Sequence, residues 1–319
     1  MIDRRRMMAV AVACAAAGAA RAGPRRSPPP PGDLTGTWTN AWYTKLQRPK
    51  AFKALVATPA EAAAYEAPRR AHRGELITAE DVVGQNESEF PDNGPGLAPI
   101  RGELRSSWIT DPADGRIPWT AEARAHVHIG RDSDDYDNVE GRETDERCLT
   151  TAGGAAPIVN SHDTNLIQIV QTPGWVVIVG EKNHETRIID LGNGPGAGQA
   201  LGNWLGASVG HWEGATLVVE TTGLRPGLTK VSDELKLSDR ARVVERFTRT
   251  GPKEISYLFE VSDPTLFTQA WRGEMVFRPA EGPMYEYACH EGNYSLPSIL
   301  AAARQGNQPA PARTASTGR

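Results

Sequence analysis

Residues 166–191 read LIQIVQTPGWVVIVGEKNHETRIIDL, and this stretch decides the fold. Leu166 to Gln171 is one strand-like run, Trp175 to Gly180 an apolar second, and Arg187 to Leu191 a third. Short turn-bounded runs of this kind read as strands. A two-residue turn at Lys182-Asn183 folds the second and third into a hairpin.

The pattern continues downstream. Trp212-Glu213-Gly214-Ala215 reads as a turn into Thr216–Glu220, and Thr250-Gly251-Pro252-Lys253 as the turn between Arg242–Thr248 and Glu254–Val261. Phe267 to Arg278 and Met284 to Cys289 follow as strands. Tight turns at regular spacing indicate a mostly β protein, an antiparallel barrel or sandwich. Ser295 to Arg304 reads as a short C-terminal helix, with Ser295 as cap and Pro297 in its first turn.

Upstream, Asp33 to Asn40 reads as a first strand, and residues 44–156 are irregular. Two helices interrupt them. Thr58 to Ala71 has Thr58 as cap, Pro59 at the first position and Glu61 in the capping-box place; Trp119 to His126 has Thr120 as cap. The expected organisation is therefore an export signal (1–22), a Pro-rich linker (23–32), a first strand with an irregular and helical segment (33–156), a β-barrel meander with its C-terminal helix (157–304), and a polar tail (305–319).

The export signal rests on residues 1–22, MIDRRRMMAVAVACAAAGAARA. Arginines precede an apolar stretch from Met7 to Ala20, and Ala20-Arg21-Ala22 has the small-x-small form of a cleavage site. The Arg run before a weakly hydrophobic, Ala-rich segment is similar to a twin-arginine signal. The following GPRRSPPPPG cannot continue a helix. The expected location is periplasmic or secreted. In an oxidising compartment the two remaining cysteines, Cys148 and Cys289, fit one disulfide. They fit equally two separate thiols buried as small apolar residues, because spacing does not establish bridging geometry.

Charge excludes some partners. The formal net charge is -4; residues 1–22 hold four of the 35 basic and one of the 39 acidic residues, so their loss leaves -7. A mildly acidic chain without a basic stripe is a poor fit to nucleic acid or an anionic membrane. No further apolar run reaches the ~20 residues of a membrane span. Oligomeric state is not legible. The eight Trp point to ring-anchored β cores or apolar pockets.

Two resemblances follow from particular residues. Leu34-Thr35-Gly36-Thr37-Trp38-Thr39-Asn40 resembles the first strand of avidin- and lipocalin-type barrels, which implies that Trp38 closes one barrel end. Residues from about Arg147 to Arg304 resemble a family of exported bacterial proteins without an assigned activity. The matching blocks are Ile169–Gly174, Glu181–Ile189, Ser208–Thr222, Val244–Arg249 and Tyr285–Tyr294. The chain departs from that family at Ala215, where Asp is usual, and at Gly223, where an aromatic is common.

Candidate chemistry sits in two polar blocks. Cys289-His290-Glu291-Gly292-Asn293-Tyr294 ends the last expected strand, where barrel mouths bind ligands. His290 can exchange protons near neutral pH and Glu291 can orient it, or both can satisfy backbone groups at the strand-to-helix corner. Glu181, His184 and Arg187 form the second block. A turn at 182–183 sets Glu181 against His184; a continuous strand instead makes Glu181 and Arg187 an ion pair. His211-Trp212-Glu213-Gly214 reads as a turn with a solvated Glu213. Glu245 and Arg246 are adjacent on one strand, so one of them faces inward and needs a partner.

Metal signals are weak. His126 and His128 share a face on a strand but not on a helix, and the acidic run Asp132 to Glu140 lacks the glycine of an EF-hand loop. No metal or other cofactor is expected, and no P-loop, dinucleotide, HExxH or GxSxG motif is present.

These readings converge on a cofactor-free periplasmic enzyme. It would use acid–base chemistry (elimination, isomerisation or hydrolysis) on a small apolar or aromatic molecule, with His290, Glu291, His184 and Glu181 as catalytic residues. Arg187, Trp175, Trp212, Tyr257, Tyr287, Asn293 and Tyr294 would contact the ligand, in a pocket also lined by Trp204 and Trp271. The alternative is a non-catalytic, lipocalin-like binding protein for the same class of molecule.

Overall fold

The computed structural model describes residues 32–78, 94–126, 136–150, 153–161, 165–192, 202–232 and 234–306. The expected signal, linker and tail lie outside these residues, apart from Gly32 and the tail's first two positions.

The chain begins with β1 (Gly36–Thr39), then forms a small sheet of β2 (Val56–Ala57), β3 (Pro99–Ile100) and β4 (Glu103–Arg105), with α1 (Pro59–Thr78) inserted. Thr58 and Glu61 cap α1 reciprocally: Glu61 Oε2 accepts the Thr58 N–H and Thr58 Oγ1 accepts the Glu61 N–H. The helix runs on through Pro68, past the expected stop at Ala71. Next come β5 (Ile109–Asp111) and α2 (Ala121–His126), where Thr120 Oγ1 accepts the Ala123 N–H.

The barrel strands follow: β6 (Leu166–Gln171), β7 (Trp175–Gly180), β8 (Thr186–Asp190), β9 (Ala207–Glu213) and β10 (Thr216–Thr222). A two-stranded ribbon, β11 (Leu228–Ser232) and β12 (Leu235–Ser238), interrupts. Then come β13 (Arg242–Gly251), β14 (Glu254–Ser262) and β15 (Trp271–Pro279), followed by α3 (Cys289–Gly292) and α4 (Ser295–Gly306). The sheet order is β1-β6-β7-β8-β9-β10-β13-β14-β15, and β1 pairs back to β15, which closes a nine-stranded barrel; β5 adds to β15 outside the closure. Full closure removes the unpaired edges that an open sheet would expose.

Four details differ from the sequence expectation. β8 and β9 pair in parallel, because residues 191–206 between them supply the dozen or more residues a parallel crossover needs. Phe267–Ala270 precede the strand, and β15 begins at Trp271. Met284 to Ala288 form an extended strap rather than a strand, and Cys289 opens α3. The cap of α4 also moves: Asn293 Oδ1, not Ser295, accepts the Leu296 N–H.

Alternation decides what fills the barrel. On β13 and β14 every second residue is buried: Val243, Glu245 and Phe247, then Ile255, Tyr257, Phe259 and Val261. Tyr257 packs on Phe247 at 4.7 Å and Phe277 at 5.5 Å, and Phe259 meets Trp271 edge-on at 5.7 Å. The irregular segment seals one end: Ala155, Ala156, Ile158 and Val159 are buried in the core, and Ile158 N donates to the Tyr257 hydroxyl at 2.8 Å. At the chain's entry, buried Trp38 donates its indole N–H to Leu34 O at 2.9 Å, under the Arg249 guanidinium. No helix of the described residues is long and apolar enough to cross a membrane.

Candidate functional site

The first polar cluster lies inside the barrel. Arg187 on β8 and Glu245 on β13 form a two-pronged ion pair, with Nη1–Oε2 at 2.5 Å and Nη2–Oε1 at 2.9 Å. Tyr257 donates its hydroxyl to Glu245 Oε1 at 2.7 Å. Burial alone would lower the Arg187 pKa; the charge and hydrogen bonds of Glu245 outweigh it and hold it above its ordinary value. Burial, then the negative Glu245, pushes the Tyr257 phenol well above its usual range. Glu245 is thus the inward member of the 245–246 pair, and its partner is Arg187. The Glu181–Arg187 ion pair does not form, because a 3-10 turn at Lys182–His184 separates them and Arg187 points into the barrel.

The second cluster is where Glu181 and His184 meet the strap that leads into the 289–294 block. Glu181 Oε1 accepts the Tyr285 N–H at 2.9 Å, and His184 Nε2 accepts the Tyr287 N–H at 3.3 Å. Cys148 and Cys289 form a disulfide with Cα atoms 5.8 Å apart. Asn293 Nδ2 donates to Glu146 O at 2.7 Å. The strap is therefore tied to the β7–β8 turn and to the segment that enters the barrel mouth. His290 and Glu291 lie exposed on α3, with no side-chain hydrogen bond among the described residues. Tyr285 and Tyr294 are exposed, and Tyr287 is half-buried.

The remaining candidates are dispersed. Tyr257 and Trp271 are sealed in the core, and Trp175 and Trp212 are half-buried on β7 and β9. Trp204 lies beneath Arg225 at 4.2 Å. His126 ends α2; its side chain, His128 and residues 132–135 of the acidic run lie outside what the structure describes. Among the described residues no group of three His, Cys, Asp or Glu side chains is placed to hold a metal ion.

The third cluster was missed by sequence reasoning and lies on the outer face of the barrel. A groove of about 410 Å³ crosses β13, β14 and β15, lined by Thr110, Arg242, Val244, Arg246, Leu258, Phe259, Glu260, Arg272 and Gly273. A second of about 310 Å³ adjoins it over β9, β10 and β13 and shares Arg242, Val244 and Arg246. Register explains the pattern. Across one row the residues are Val209, Glu220, Val244, Glu260 and Arg272; across the next they are His211, Val218, Arg246, Leu258 and Glu274. Aliphatic floor positions thus alternate with charges.

The charges are tied in place. Arg246 reaches Glu213 at 2.6 Å, Arg242 reaches Glu220 at 2.5 Å, and Arg272 reaches Glu260 at 2.7 Å. Hydrogen bonds from Arg246, then His211, lower the Glu213 pKa, and one from Arg242 lowers that of Glu220. Glu213 sits at the end of β9 rather than in a turn.

No protein-family model, curated protein or solved structure matches this chain.

Proposed function

We propose that the chain is an exported, non-catalytic binding protein for a small molecule with an apolar or aromatic body, held in the outer groove over β13–β15. The observation that carries this reading is the groove itself. Its volume lies in the usual range for small-molecule sites, and its floor offers Val244 and Leu258 inside a polar rim. By contrast, the inward positions of the barrel strands are taken up by packed side chains and by the Arg187–Glu245–Tyr257 cluster. The Cys148–Cys289 bridge supports an oxidising location.

The test is a fluorescence titration with phenylnaphthylamine, an uncharged aromatic probe. Wild type binds it, and Leu258→Asp weakens binding about tenfold or more with an unchanged melting temperature. Equal affinity in both proteins removes the groove from the reading.

The acid–base enzyme is the second reading, favoured by the meeting of 181–184 with 285–287. It requires His184 Nε2 to exchange the Tyr287 N–H for a substrate proton. A substrate screen comparing wild type with His184→Ala and His290→Ala tests it; equal turnover in all three ends it.

A further inference from the structure

We infer that the ligand of the outer groove is an anion: an apolar body bearing a carboxylate, sulfonate or similar group that the rim guanidiniums receive. This rests on the reading of the groove as the ligand site. The groove over β13–β15 is lined by three guanidiniums, Arg242, Arg246 and Arg272, against one carboxylate, Glu260. The carboxylates that hold Arg242 and Arg246, Glu220 and Glu213, stand on β10 and β9, outside that lining.

Each of these two arginines gives a single N–H to its glutamate. The rest of its five-donor fork has no protein acceptor among the described residues. Both are half-exposed, at 47% and 40% of their side-chain surface, so the free donors are within reach of solvent and ligand. A planar fork matches carboxylate geometry, and a charge-assisted bond to it is stronger than a neutral one.

Counted with their partners Glu213, Glu220, Glu260 and Asp111, the three guanidiniums carry no net positive excess, so recognition lies in the N–H donors that Arg242 and Arg246 leave unused. The whole chain carries a net of -4, so bulk electrostatics do not draw anions to this surface. Glu260 sets the limit on the site. Arg272 is held by Glu260 at 2.7 Å and by Asp111 at 3.3 Å, which leaves the Arg242 and Arg246 side as the anion end. The aliphatic pair Val244 and Leu258 then receives the apolar body beside that end. Arg246 pairs directly with Leu258 across β13 and β14, so both parts of one small molecule are served within adjoining positions.

The experiment compares two probes with the same anilinonaphthalene body, anilinonaphthalene sulfonate and uncharged phenylnaphthylamine, on the folded full chain. The sulfonate binds about tenfold more tightly at low salt, and the advantage shrinks as salt is raised. Arg246→Gln and, independently, Arg242→Gln reduce the sulfonate's advantage and leave phenylnaphthylamine binding within about twofold. Leu258→Asp weakens both probes. Equal or tighter binding of the uncharged probe overturns the anion inference and leaves the groove reading standing. Binding of both probes that Leu258→Asp does not change, or no binding of either, overturns the groove reading and the inference with it. If Arg246→Gln lowers the melting temperature, Arg242→Gln and the salt series still decide the charge preference.

Discussion

Arg187 and Glu245 face each other across the barrel interior, 2% and 0% exposed, and among the described residues each is the other's only counter-charge at hydrogen-bond distance. Removing one charge leaves the other buried without compensation, which is far costlier than removing both. Glu245→Gln or Arg187→Met alone lowers stability by about 3–5 kcal/mol, whereas Arg187→Met with Glu245→Leu recovers most of the loss. Urea unfolding of the three variants checks this; a double variant as unstable as the sum of the singles refutes it.

Tyr257 gives the alkaline limb of stability. Its folded pKa is raised, first by burial and then by Glu245, so the phenol holds its proton in the fold and gives it up on unfolding. The contribution is complete below the ordinary tyrosine value of about 10 and is lost as pH climbs from there through the folded value. Above about pH 10 the wild type loses stability more steeply with pH than Tyr257→Phe, by up to about 1.4 kcal/mol per pH unit. Denaturant melts at stepped alkaline pH read the slope, and parallel slopes would count against the buried phenol.

The disulfide closes a loop with a sequence separation of 141 residues and joins the segment entering the barrel mouth to α3. Chain-entropy arguments give about 5 kcal/mol as an upper figure for a loop of this size, and measured bridges commonly give 2–4 kcal/mol. Cys148→Ser with Cys289→Ser lowers stability within that range, and the unfolded wild type releases two additional thiols on reduction. Thiol titration and urea melts measure the two effects.

Much of the barrel was legible because alternation is a local signal. The runs 166–171, 175–180 and 254–261 showed their strands without knowledge of any partner, and inward Glu245 or Arg246 followed from period alone. The closure by β1 and β15 and the parallel β8–β9 pairing were not legible, since both are set by which distant strand completes the cylinder. The groove was hidden for the same reason. Arg242, Val244, Leu258 and Arg272 are unremarkable one by one and become a site only once register sets their rows side by side. Met284–Ala288 had a strand's composition, but at that position its N–H groups go to the side chains of Glu181 and His184 instead of a neighbouring strand.

Gly273 sets how tightly β15 packs. It lies opposite Phe259, and a Cβ there would stand 2.1 Å from the Phe259 ring. The ring is held edge-on by Trp271 and is not free to swing away. Gly273→Ala therefore overpacks the barrel and costs about 1–3 kcal/mol, and Gly273→Ala with Phe259→Leu recovers part of it. A single variant as stable as wild type would show that the ring yields.

The strap supplies the last prediction, which separates structural from catalytic duty for Glu181 and His184. Both side chains accept backbone N–H groups, those of Tyr285 and Tyr287, and these bonds fix the strap beside the β7–β8 turn. If that is their duty, Glu181→Ala speeds amide exchange at Tyr285, and His184→Ala speeds it at Tyr287. Groove binding is unchanged in both, because β13 to β15 are held by their own ladders. The disulfide at Cys289 keeps α3 in place, so the loosening stays local and global stability falls by only about 1 kcal/mol per bond. Hydrogen exchange followed residue by residue reads this directly. Unchanged exchange at both amides, together with lost turnover in a substrate screen, would instead assign these side chains to chemistry.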